Sequence, residues 1–177
     1  MLARRHFLAG AGMVLISAPL TPALASLGEV RRLGFDNLHT GEKLDIAYWE
    51  QGAYLPDALA AVDHVLRDFR SGETHAMAPQ LLDLLALLRG KLETSVPFSV
   101  ISGYRSPATN AMLRGESGHS GVAAKSLHMQ GMAIDIRVEG RSLANLREAA
   151  LTERAGGVGY YPASDFVHVD VGRVRRW

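Results

Sequence analysis

The chain of 177 residues contains no cysteine, which excludes a disulfide-stapled scaffold and every thiolate metal site. Any metal it holds must be met by nitrogen and oxygen ligands. An excess of one charge is missing as well: nineteen Lys and Arg stand against eighteen Asp and Glu, so nothing points to nucleic-acid binding. Arg173, Arg175 and Arg176 read as a small solvated basic tail. The chain has no internal repeat, no long linker that would divide it, and no GxSxG elbow to present a nucleophilic serine.

The apolar run in MLARRHFLAGAGMVLISAPLTPALAS is shorter than a comfortable membrane span. It follows a short basic region and precedes Ala23 and Ala25, small residues suited to a cleavage site, so residues 1–25 read as a removable export leader. Arg4 and Arg5, followed by Phe7 and Leu8, resemble the twin-arginine signal, which implies export of an already folded protein and no stable membrane span after cleavage. Removing the leader takes away two basic residues and no acid, so residues 26–177 carry a net charge of −1. Those 152 residues suffice for one domain with a real core.

Patterning within 26–177 predicts a hairpin, Val30 to Asn37 and Lys43 to Trp49, around the turn-forming LHTGE. Two core helices follow, one opened by Pro56 with Leu59, Val62, Leu66 and Phe69 on a single face, the other opened by Pro79 and ending near Gly90. FSVISGY reads as a strand, Pro107 opens a short helix, GESGHSGVAAKS is a loop by composition, and MAIDIRV is a strand. Ser142 caps a last helix that stops before Gly156 and Gly157, and GVGYYPASDFVHVDVG supplies two strands joined through Pro162. Long helices first and short strands afterwards predict one α+β domain, with helices packed on a small antiparallel sheet that carries the site.

Period-two alternation puts Ala133, Asp135 and Arg137 on one side of MAIDIRV, and Phe166, His168 and Asp170 on one side of FVHVD, while the Ile and Val residues between them enter the core. His128 precedes Gly131, whose backbone freedom lets the imidazole turn back beside Asp135. Two histidines and a carboxylate suit a catalytic zinc that keeps one position for water or substrate. By spacing alone, an ordinary polar network or another metal stays open.

The stretch S126-L-H-M-Q-G-M-A-I-D135 resembles the SxHxxGxAxD signature of the M15-like (LAS-type) zinc peptidases, and F166-V-H-V-D-V-G172 resembles their terminal metal-binding segment. With SGYRS at 102–106 and GGVGYYP at 156–162, the likeness runs to the YcbK-like murein endopeptidase branch and covers roughly residues 28–177. The resemblance implies that His128, Asp135 and His168 bind Zn²⁺ in a periplasmic enzyme. Its substrate would be peptide crosslinks of peptidoglycan, including diaminopimelate–diaminopimelate bonds. Within the same family the alternatives are a D,D-carboxypeptidase or D,D-endopeptidase; outside it, a non-catalytic peptidoglycan-binding protein.

Some relatives place a glutamate three residues before the last histidine, where this chain has Asp165; the His-x-His version is absent because Phe166 stands there. Asp170 is read as base or ligand orienter, and Asp165 as the second candidate base. Arg105 corresponds to an arginine that anchors substrate or the transition state, with a salt bridge to Glu116 or Asp135 as its structural alternative. His119, Tyr160 and Tyr161 are further candidates for substrate contact. No protein partner is legible.

Overall fold

The computed structural model describes residues 29–116 and 122–177, so the expected leader at 1–25 and the candidate His119 lie outside the described residues. Strands β1 (Val30–Asn37) and β2 (Lys43–Glu50) form the expected hairpin, extended by the short β3 (Ala53–Tyr54). Helices α1 (Pro56–Val65) and α2 (Pro79–Lys91) each carry proline in the first turn, where its missing N–H costs nothing. The apolar pattern of α1 continues to Phe69, yet the helix stops at Val65. Just beyond it Asp68 accepts backbone N–H groups from Arg70 and Ser106 at 2.9 Å each, turning the chain out of the helix.

Strand β4 (Phe98–Ser102), helix α3 (Pro107–Glu116), strand β5 (Ala133–Val138), helix α4 (Leu143–Glu153) and strands β6 (Gly157–Tyr161), β7 (Phe166–Asp170) and β8 (Arg175–Arg176) complete the order. Ser142 caps α4, its hydroxyl accepting from the Asn145 N–H at 3.1 Å. All eight strands join one sheet in the order β3-β2-β1-β4-β5-β7-β6-β8.

That sheet is neither small nor wholly antiparallel. After the α1–α2 crossover β4 returns parallel to β1, and β8 runs parallel to β6 on the far edge. Strand count was hidden because β3 and β8 are two residues each, too short to show a period.

One sheet face is covered by helices. Ile134, Ile136, Val167 and Val169 reach zero exposure and join Leu81, Leu85, Leu88 and Leu146 in a single core. Each such side chain contributes about 1.5–3 kcal/mol by leaving water. Alternation then obliges Asp135, Arg137, His168 and Asp170 to the opposite face. No helix among the described residues is long and apolar enough to cross a membrane.

Candidate metal centre

Strands β5 and β7 pair antiparallel with Asp135 directly opposite His168, so the two side chains stand side by side on the open face. His128 arrives from a one-turn 3-10 helix (Leu127–Gln130) whose first N–H groups are capped by Ser126. Gly131 then takes φ +65° with its Cα against the Ala76 carbonyl, so the chain can reverse into β5 and leave the imidazole beside the carboxylate. A break in register between Val100 and Ser102 in β4 sets Ser102 opposite Asp135 and closes the site on its third side.

His128 Nε2 lies 3.1 Å from His168 Nδ1 and 3.3 Å from Asp135 Oδ1, and His168 Nδ1 lies 2.8 Å from the same Oδ1. All three residues are buried. The far sides of both rings decide what these atoms are. His128 Nδ1 is 2.7 Å from the Gly103 carbonyl and His168 Nε2 is 3.0 Å from Asp170 Oδ2; both partners can only accept, so each distal nitrogen carries the hydrogen. The atoms that face one another are then two imidazole lone pairs and a carboxylate oxygen.

Three such acceptors repel unless a positive charge sits among them. A proton can supply it: burial lowers the His168 imidazole, but Asp135 and Asp170 outweigh burial and hold it above the ordinary histidine range. Likewise burial would raise Asp135, yet His128 and His168 bring its carboxyl well below the usual range. A divalent cation answers the same demand with more charge. A tetrahedral zinc bound at about 2.0–2.1 Å sets its ligand atoms about 3.4 Å apart, slightly wider than the separations here. The donor set and its arrangement therefore fit zinc.

Asp170 lies behind His168, at zero exposure. Its Oδ1 accepts from Gly157 N at 2.8 Å, Gly172 N at 2.9 Å and Arg175 Nη1 at 3.1 Å; its Oδ2 accepts from Arg175 Nη2 at 2.7 Å and His168. Burial alone would raise this carboxyl, but those donors, His168 first and Arg175 next, hold it well below the ordinary value. Arg105 bonds Ser102 Oγ at 3.2 Å and Asp135 Oδ2 at 3.3 Å, while its Nε is buried without a partner among the described residues. Burial lowers the Arg105 guanidinium, with Asp135 opposing.

The three candidate ligands open into a cavity of about 280 Å³, lined also by Arg105, Lys125, Tyr161, Phe166, Arg175 and Trp177. Tyr161 stacks on Phe166, ring centroids 4.6 Å apart. Tyr160 is not in this wall; the alternation of β6 sends it against α4, where Arg147 sits 5.4 Å from its ring. Asp165 does not line this cavity, although its neighbours Ser164 and Phe166 do; its side chain turns outward to Arg137 Nη1 at 2.7 Å and borders a second cavity with Arg137 and Ser142.

Sequence reading missed Trp177 and Arg175. Trp177 Nε1 donates to Tyr161 Oη at 2.6 Å and its ring lies 5.3 Å from that of His168; Arg175 is bound to Asp170 and not solvated as a tail residue. The only available signals were Gly157 and Gly159, where any side chain would enter Arg175 or Trp177.

A family profile described as peptidoglycan L,D-endopeptidase MepK matches residues 25–177. Peptidoglycan L,D-endopeptidase MepK of Escherichia coli (strain K12) is 46% identical over 177 residues, covering 98% of this chain and 96% of that protein. The protein of the same name from Shigella flexneri gives the same figures. The probable peptidoglycan L,D-endopeptidase MepK of Haemophilus influenzae is 40% identical over 156 residues, covering 88% of this chain and 83% of that protein. Over nearly its whole length, and with a His-Asp-His donor set suited to zinc, the chain belongs to this M15-type family of zinc peptidases.

Proposed function

We infer that this protein is a zinc-dependent L,D-endopeptidase that hydrolyses peptide crosslinks of peptidoglycan, at the diaminopimelate–diaminopimelate bond, in the periplasm. The observation that carries the chemistry is the convergence of two imidazole lone pairs, whose N–H hydrogens are committed on their far sides, with one carboxylate oxygen. The kinship to peptidoglycan L,D-endopeptidases supports the substrate. The basic and apolar pattern of residues 1–25, with its Arg4–Arg5 pair, supports the reading of a leader exported by the twin-arginine route.

His128 through Nε2, His168 through Nδ1 and Asp135 through Oδ1 would hold the ion. Zinc, when bound, supplies Lewis acidity that polarises the scissile carbonyl and acidifies the attacking water. Arg105 has an unused buried donor at Nε, and a guanidinium fork suits a carboxylate or a developing oxyanion. We assign it to anchor the crosslink, whose diaminopimelate residues carry free carboxylates, with Lys125 as a second cation on the cavity wall.

Of the two carboxylates considered as base, Asp170 has its oxygens fully engaged and is assigned to orient His168. Asp165 is assigned to accept the water proton at its carboxylate and return it to the leaving amine. Its pair with Arg137 is exposed and costs about 0–1 kcal/mol to open.

Mass spectrometry of a defined diaminopimelate-crosslinked muropeptide tests this reading: the zinc-loaded protein splits the dimer into two stems, and a chelator stops it. Loss of a single terminal residue, or cleavage of only D-alanyl crosslinks, would replace it with the D,D reading.

A further inference from the structure

We propose that Arg175 is a positioning residue of the metal centre, acting through Asp170 to fix the ring plane and tautomer of His168 while holding Trp177 in place as the far wall of the cavity. This rests on the metal centre described above and assigns work to a segment, 173–177, whose sequence alone reads as a solvated tail.

Arg175 meets Asp170 with both terminal nitrogens, Nη1 on Oδ1 at 3.1 Å and Nη2 on Oδ2 at 2.7 Å. A two-point grip fixes the plane of the carboxylate as well as its place. Gly157 N and Gly172 N lock Oδ1 from the other sides, leaving Oδ2 directed at His168 Nε2. The imidazole must then keep its hydrogen on Nε2 and turn Nδ1 toward His128 and Asp135. Without the fork, Asp170 keeps the two backbone donors on Oδ1, but Oδ2, the oxygen that faces His168 Nε2, loses the guanidinium that fixes it.

The same guanidinium lies 4.9 Å from the Trp177 ring centroid, and its Nη1 also donates to the Arg173 carbonyl at 3.0 Å. The backbone around it is paired into the sheet edge: β8 runs parallel to β6, Tyr160 N donates to Trp177 O at 3.1 Å, and Trp177 N donates to Val158 O at 3.2 Å. Gly157 and Gly159 leave the room that Arg175 and Trp177 fill, since a Cβ at either would enter those side chains. Arg175 thus ties a candidate ligand and a cavity wall to one grip, 35% exposed and reaching a carboxylate that is fully buried.

Zinc affinity measured by competition with a chromogenic chelator tests the proposal without substrate. Arg175→Ala is expected to weaken zinc binding about 10–100-fold, the range for loss of a group that orients a metal ligand. In the zinc-saturated variant kcat falls more than KM rises. Arg175→Lys keeps the charge but not the fork, and falls between the two. Arg176→Ala, on the exposed neighbouring position, matches the parent. Folded Arg175→Ala with parental zinc affinity and kcat overturns the proposal; should that variant not fold, parental zinc affinity in Arg175→Lys does so. A parent that binds zinc tightly but cleaves no crosslink would sink the functional reading and leave this one standing.

Discussion

At the residue scale the site is a matter of which atom of each side chain is left over. Gly103 O and Asp170 take the hydrogens of His128 and His168, and what remains inward is chemically uniform: three electron pairs with no donor among them. By the same accounting Asp170 has both oxygens engaged, which is why Asp165 is the carboxylate proposed as base. Asp165→Asn should leave zinc content unchanged and lower kcat by about 10²–10⁴-fold with little effect on KM, as loss of a general base does; steady-state kinetics beside metal analysis would show it, and unchanged kcat assigns the proton to another group. The convergence of His128, Asp135 and His168 was legible because alternation marks Asp135 and His168, while the family signature marks His128 and Asp135 and the terminal segment marks His168. Arg175 and Trp177 were not, since RVRRW has no period, and its meaning depends on which strand it lies beside.

At the scale of elements, the loop after β4 is what supplies Gly103 O and Arg105 to the site, and it is held from outside by Asp68. Burial alone would raise the Asp68 carboxyl, but hydrogen bonds from Thr109, Ser106 and Arg70 bring it down from 3.8 to about 2. A lowered folded-state value means stability that is present above about pH 4 and lost as pH falls toward 2, worth about 2 kcal/mol. Asp68→Asn should therefore be less stable than the parent by about that amount at neutral pH, with the gap closing between pH 4 and 2. Denaturant titrations on zinc-free protein at a series of pH values would measure it, and a gap independent of pH contradicts the assignment. The hairpin, the proline-opened helices and the Ser142 cap follow from local chemistry and were readable. The parallel pairings β1–β4 and β6–β8 were not, because two helices separate β1 from β4 and β8 is only two residues long, so neither leaves a local mark.

At the scale of the whole molecule, helices on one sheet face fix the other as the working surface, and the cation demanded there ties metal binding to folding. A ligand present at 100 times its dissociation constant stabilises the fold by about 2.7 kcal/mol. For a domain of this size that corresponds to a rise in Tm of about 5–10 °C. Differential scanning calorimetry with and without zinc should show it for the parent and not for His168→Ala. The most direct test of the account is zinc stoichiometry and cleavage of intact crosslinked peptidoglycan, measured side by side for the parent and for folded His168→Ala. The account predicts one zinc per chain and split crosslinks for the parent, and neither for the variant; crosslink cleavage at full rate by zinc-free protein, or by His168→Ala, would contradict it.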